Sequence, residues 1–356
     1  MSKGIRLAAG LAGLALLVAA CGEKPSDDEE KKSAAGADYS ACMVTDTGGI
    51  DDRSFNAASW AGLQAGIKTV GGTEQFVASA SENDYVPNIN GLVSKGCKLI
   101  VTVGGLMGEA TTKAAEANPN QQFAIVDSPS VDGKKIYGME FNTAQSSFLA
   151  GYLAASMSKS GKVATFGGLP IGPVTIFMDG FYEGVQYFNK QKNKKVEVLG
   201  WDEAKPKSGS MANHFNDQAK GKTIAKNFIQ QGADIIFPVA GGTGLGAAAA
   251  AKEAGNVSVI WVDTDGCESA SQYCDVFLTS VQKNMKGAVE QAVVNGSKGQ
   301  LTGGYLGTLE NGGTGLAPFH QFESKVPAEL KTELDTIKAD IISGKITITS
   351  PSQPKS

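Results

Sequence analysis

The sequence predicts an α/β protein of two lobes, each a doubly wound parallel sheet with helices on both faces. Three observations carry this. From Ala41 onward, short runs rich in Val, Ile and Phe alternate with longer Ala-rich segments, the rhythm of βα units. The folded stretch, from Tyr39 to about Thr349, exceeds one ordinary sheet domain. Glycine, 45 of 356 residues, clusters just after the strand runs, at Gly48-Gly49, Gly104-Gly105, Gly167-Gly168 and Gly241-Gly242, where open α/β sheets take their ligands.

In chain order, residues 1–20 read as a signal peptide. Lys3 and Arg6 precede an apolar run from Leu7 to Val18, and Val18-Ala19-Ala20-Cys21 reads as a lipobox with cleavage before Cys21, which would carry the lipid. About 14 apolar residues fall short of the ~20 that span a bilayer, and the flank is acidic. Processing removes Lys3 and Arg6, shifting the formal charge from −4 to about −6, and no basic cluster remains, which argues against nucleic-acid binding. Residues 21–38 offer no large apolar side chain beyond the lipidated cysteine and are expected to be a disordered tether.

Strands are expected over 41–45, 75–79, 98–103, 122–127, 135–141, 162–166, 195–199, 234–239, 257–262 and 275–280. Helices are expected over 55–69, 86–95, 107–117, 143–158, 174–190, 218–231, 244–254, 283–295 and 327–343. The tail, 350–356, reads as frayed. With Cys21 lipidated, Cys42, Cys97, Cys267 and Cys274 form an even set in an exported chain. Cys42 and Cys97 open two strands that would lie side by side, and Cys267 and Cys274 would close a short loop; four buried free thiols are the alternative. His214 and His320 have no ligand spacing around them, so no metal and no cofactor are expected.

The first strand leaves through Val44-Thr45-Asp46-Thr47-Gly48-Gly49-Ile50-Asp51-Asp52-Arg53-Ser54-Phe55-Asn56. With Ile125-Val126-Asp127, Phe148-Leu149-Ala150-Gly151-Tyr152, Asp179-Gly180-Phe181, Phe215-Asn216-Asp217, Gly241-Gly242-Thr243-Gly244, Val262-Asp263-Thr264-Asp265 and Thr279-Ser280-Val281-Gln282-Lys283, in that order, this run resembles the basic membrane protein family. These are bacterial lipoproteins that include purine-nucleoside receptors of ABC importers. The resemblance implies a type I periplasmic-binding-protein fold, two lobes joined by a three-strand hinge, with lobe I at 39–140 plus 282–310 and lobe II at 141–281 plus 311–349. It further implies a purine nucleoside ligand, ABC permease and ATPase partners, and a monomer anchored through Cys21 on the outer side of the cytoplasmic membrane or in the periplasm.

The residue roles that follow make chemical sense. Phe55 sits in a polar loop, where an aromatic ring either stacks on a base or staples onto its own helix; the resemblance favours the base. Phe215 is the candidate for the opposite wall, with Phe177 or Trp201 in reserve. Asn56 would serve a purine edge, or else a helix start. Asp46, Asp127 and Asp263 directly follow apolar runs and suit ribose hydroxyls, with Asp265 a weaker choice; each is equally suited to capping the next helix. Lys283 would bridge a ribose hydroxyl and a cleft carboxylate, or else be a solvated surface lysine. Gly242 stands for the backbone amides of a glycine run that lacks the Lys-Ser/Thr ending of a phosphate loop.

Binding without catalysis is therefore expected. The chain has no GxSxG elbow and no HExxH. Asp51-Asp52 with Asp46 would suit a Ca²⁺-dependent nucleoside hydrolase, but Arg53 follows at once and would compete with the cation. A receptor for a sugar is the nearer rival, since sugar sites also use stacked aromatics and carboxylates.

Overall fold

The computed structural model describes residues 38–131, 133 and 135–355. The signal peptide, Cys21 and the tether through residue 37 lie outside the described residues. The elements run β1 (Ser40–Val44), α1 (Phe55–Val70), β2 (Thr73–Val77), α2 (Tyr85–Ser94), β3 (Leu99–Val103), α3 (Gly108–Ala117), β4 (Gln122–Val126), β5 (Ile136–Phe141), α4 (Thr143–Met157), β6 (Lys162–Gly167), α5 (Gly172–Lys192) and β7 (Glu197–Leu199). They continue α6 (Gln218–Gln230), β8 (Ile235–Val239), α7 (Gly244–Ala254), β9 (Ser258–Asp263), α8 (Gly266–Ser269), β10 (Phe277–Lys283), α9 (Met285–Ser297), β11 (Gly304–Gly307), β12 (Thr314–Leu316) and α10 (Ala328–Ile342).

Two six-stranded sheets result, ordered β11-β5-β4-β3-β1-β2 and β12-β10-β9-β8-β6-β7. β3 (LIVTV) and β8 (IIFPV) are buried at every position, as strands covered on both faces must be. Pro238 lies inside β8, a central strand, where it has no N–H to give. The ladder to β9 ends at Ile236, two residues earlier, while the ladder to β6 runs on to Val239. The two strands thus part where the second sheet faces the other lobe.

β11 and β12 are additional to the strands the sequence predicts. Both are short and glycine-rich, so neither shows an apolar run. β12 also pairs antiparallel with β10, so the second sheet is parallel except at this edge. The chain passes between the sheets after β5, after β10 and between β11 and β12. These connections are tied together: the Asn142 N–H donates to Gly307 O at 2.8 Å and the Asn284 N–H to Gly313 O at 2.9 Å.

Helix α4 is buried almost all round and packs against α5 at close range. A Cβ on Gly151 would lie 2.0 Å from Phe181 O, so only glycine permits this approach. Cys42 and Cys97 form one disulfide and Cys267 and Cys274 another, with Cα separations of 6.0 and 4.6 Å.

The first part of the tail expected to be frayed, residues 350–353, is held in place. Ser350 is buried and its hydroxyl donates to Asp179 Oδ2 at 2.6 Å; Ser352 pairs with Thr175, and Gln353 meets Asn142 beside the first connection. Polar contacts without an apolar pattern hold this segment, which hydrophobic periodicity cannot reveal. Ser350→Ala would leave the buried Asp179 carboxylate one donor short and should lower unfolding free energy by about 1–3 kcal/mol, read by thermal or urea denaturation; an unchanged midpoint would mean that the tail contributes nothing.

Candidate functional site

The carboxyl ends of β1, β4 and β9 carry Asp46, Asp127 and Asp263 to a cleft between the two sheets. Asp127 and Asp263 occupy equivalent strand ends in the two lobes, and both adopt left-handed backbone, φ 65° and 69°. That turn stops the strand, and aspartate tolerates it better than bulkier residues.

The loop after β1 folds around Asp52. This buried carboxylate accepts from the backbone N–H of Ser54 (3.0 Å), Asn56 (2.7 Å) and Ala57 (3.1 Å), and so satisfies the exposed amides at the start of α1. It also accepts from Asn56 Nδ2 at 3.1 Å, while Asp46 Oδ1 accepts from the same nitrogen at 2.7 Å. Two carboxylates around one end of the amide leave no choice of orientation: the NH₂ must face them. Asn56 Oδ1 is then buried without a hydrogen-bond partner among the described residues. A buried acceptor of this kind requires a donor, and the cleft is where one can arrive.

Lys283, at the end of β10, is almost wholly buried. Its ammonium lies 2.5 Å from Asp127 Oδ2 and 4.7 Å from the centroid of the Phe55 ring, with Phe141 and Phe177 at 5.3 and 5.9 Å. The rings favour a cation as well as an apolar body. Asp263 accepts the Ser54 hydroxyl at 2.6 Å. Burial pushes the Asp52 carboxyl up to about 7 despite its N–H donors. Burial likewise raises Asp46, Asp127 and Asp263, and Lys283 opposes it at the last two.

Of the residues singled out in the sequence, Asp46, Phe55, Asn56, Asp127, Phe177, Phe215, Asp263 and Lys283 all line the cleft. Phe215 reaches it because Gly168 has no side chain: a Cβ there would lie 2.2 Å from the ring. Phe177 is the deeper of the two reserve aromatics, packed near Phe237 in the core.

Three placements differ from expectation. Gly241, in left-handed backbone (φ 51°), lines the cleft where Gly242 was expected. Asp265 is outside the cleft: it caps α8 by accepting from Cys267 N and pairs with His320 Nε2 at 2.6 Å. Trp201 is a core residue whose indole N–H donates to Asp179. Asp265, Cys267 and His320 are one group whose potential metal-ligand atoms lie within 4.8 Å of one another, but the Cys267 sulfur is bonded to Cys274 and offers no thiolate.

The sequence reading missed Asp52 as a cleft residue, together with Leu106, Ile171 and Pro173, which complete its apolar lining. The Asp-Asp pair was visible but spoke for a cation, and Leu106, Ile171 and Pro173 stand in a short helical turn and at the start of α5, where no apolar periodicity marks them.

Comparisons with known proteins show the chain's family and fold. Residues 39–349 match the family model described as ABC transporter substrate-binding protein PnrA-like. The chain is 33% identical over 333 residues to the ABC transporter nucleoside-binding protein BmpA of Lactococcus lactis subsp. cremoris, covering 88% of this chain and 90% of that protein. It is 29% identical over 325 residues to Basic membrane protein A of Borreliella burgdorferi, covering 90% of each. Among solved structures, a solute-binding protein of an ABC transporter system from Aeropyrum pernix K1 superposes with a TM-score of 0.79, over 88% of this chain and 94% of that one, at 24% identity; this likeness concerns the fold.

The buried carboxylates give stability a definite pH dependence. Burial raises the folded-state pKa values of Asp46, Asp52 and Asp263 above those of the unfolded chain, and at Asp52 the folded state holds more protons between about pH 4 and pH 7. The Asp52 contribution is fully present below about pH 4 and is lost as pH rises through about 7, and Asp46 and Asp263 act in the same direction. Melting of the ligand-free protein should therefore move to lower temperature between about pH 5 and pH 8, and a rise over that interval would show that N–H donation outweighs burial.

Proposed function

The chain belongs to the PnrA-like family of ABC transporter substrate-binding proteins, and from that premise we propose that it captures a purine nucleoside between its lobes and delivers it to a membrane permease without transforming it. One observation carries the nucleoside reading: Phe55 and Phe215 line the same cleft as an amide whose acceptor end is fixed and unpartnered. A purine supplies a flat ring for these aromatics and an N–H edge for Asn56 Oδ1. Ribose hydroxyls donate to Asp127 and Asp263, and Lys283 donates to a ribose oxygen while holding Asp127. Asp127 stands on the first sheet and Asp263 on the second, so a ligand touching both favours the closed form.

Turnover is disfavoured by how the carboxylates are engaged. Asp52 gives both oxygens to N–H donors and Asp127 is paired with an ammonium, which leaves no cleft cluster for a catalytic cation among the described residues. The family reading extends to the chain's surroundings: a monomer anchored by lipid on Cys21, on the outer side of the cytoplasmic membrane or in the periplasm, with a permease and its ATPase as partners.

Calorimetry tests the reading. The mature chain from residue 21, with Cys21→Ser to remove the lipid acceptor, is refolded to strip carried-over ligand. It is then titrated with adenosine, guanosine, inosine, cytidine, uridine, ribose and glucose. Purine nucleosides should bind one to one, at least about a hundredfold tighter than either sugar, and be recovered intact. Binding of sugar alone overturns the nucleoside, and release of free base overturns the receptor. Asp263→Ala should weaken nucleoside binding about tenfold to a hundredfold by deleting a charged acceptor, with little change in the ligand-free melting temperature; ready unfolding would make Asp263 structural instead.

A further inference from the structure

Ser54 stands immediately before α1, at the position where a serine hydroxyl ordinarily accepts an N–H from the helix's first turn. It makes no such bond. Asp52 has already taken the N–H groups of Ser54, Asn56 and Ala57, so the hydroxyl is released from capping. Fully buried, it reaches instead across the cleft to the other sheet's Asp263, donating to Oδ2 at 2.6 Å with Val262 O at 3.4 Å. A second bond runs the opposite way one residue along: Thr264 Oγ1 donates to Arg53 O at 3.2 Å. Each dipeptide contains a left-handed residue, Arg53 at φ 58° and Asp263 at φ 69°, which turns the groups toward each other.

We propose that Ser54 is a positioning residue: its hydroxyl latches the first lobe to Asp263 of the second, favouring the closed form and fixing the orientation of the carboxylate that meets the ligand. The bond spans two lobes, so it exists only when they are together. Opening removes a donor from a buried carboxylate, and a hydrogen bond to a charged acceptor is stronger than a neutral one. With Oδ2 held by Ser54, Asp263 presents Oδ1 to the cleft in one fixed direction. For the ligand this rests on the receptor reading of the preceding subsection; for closure it does not.

Ser54→Ala and Thr264→Val, each in the mature chain with Cys21→Ser, test the latch. Small-angle scattering without ligand should show both variants more extended than the parent, at melting temperatures close to it. With inosine as probe, Ser54→Ala should speed dissociation about tenfold and change association less than about twofold, the pattern of a contact made after encounter. In an Asp263→Ala background Ser54→Ala should add nothing to dissociation, because its principal acceptor is already gone; faster dissociation at an unchanged melting temperature is what a merely structural role would not give. Scattering identical to the parent in both variants, or unchanged dissociation, overturns the latch. If Ser54→Ala fails to fold, Thr264→Val decides the question, because it removes the reciprocal bond and leaves Ser54 in place. Should the parent not bind inosine, the nucleoside reading is at fault, and the ligand-free scattering still decides the latch.

Discussion

Burying the Asp52 carboxylate withdraws it from water at an expense of several kcal/mol, and the loop after β1 offsets this with four N–H donors from three residues, Ser54, Asn56 and Ala57. Much of the cleft follows from that arrangement. The amino end of α1 is closed without help from Ser54. The Asn56 amide is pinned between Asp52 and Asp46 and can point only its oxygen elsewhere. Phe55, between Ser54 and Asn56 in the chain, is carried to the cleft wall. A helix start that would ordinarily be stabilised by its own capping serine has been rebuilt around a carboxylate two residues earlier, and the side chains so released face the other lobe.

The charges of the cleft favour one class of ligand. Four carboxylates, at Asp46, Asp52, Asp127 and Asp263, line it beside a single ammonium at Lys283. Such a site is rich in acceptors and poor in donors, so a complementary molecule brings hydroxyl and N–H groups of its own. A phosphorylated ligand would add like charge in a desolvated space, which costs several kcal/mol at such range. A neutral molecule with a flat ring and several hydroxyls meets both demands. Burial acts in the same direction, since it raises the carboxyl pKa values and so moderates the repulsion among them.

Much of this was legible in the sequence because strand ends are legible. Asp46, Asp127 and Asp263 directly follow apolar runs, and the topology of a parallel sheet sends such positions to one edge. Gly241 was confused with its neighbour because a glycine pair does not reveal which member takes the left-handed turn. Asp265 follows a strand as closely as a cleft residue would, yet its carboxylate closes a four-residue helix, and local sequence does not separate these uses. Ser54 and Ser350 were hidden for a common reason. Each is buried through one hydroxyl bonded to an aspartate more than 170 residues away in sequence, and no periodicity records a contact of that range.

The left-handed backbone of Asp127 and Asp263 shows what the fold retains for the sake of the cleft. A non-glycine residue in this region costs on the order of 1 kcal/mol or more, and glycine would remove that cost at either position. Glycine would also remove the carboxylate, which at Asp127 holds Lys283 and at Asp263 receives Ser54. The strain persists because the same turn that stops each strand also aims its side chain along the cleft. Relaxed, extended backbone at these two positions would continue the strands and direct the carboxylates toward the sheet faces, where helices cover them. The left-handed turns therefore do more than end two strands: they place an acceptor on each lobe where one small molecule can meet both.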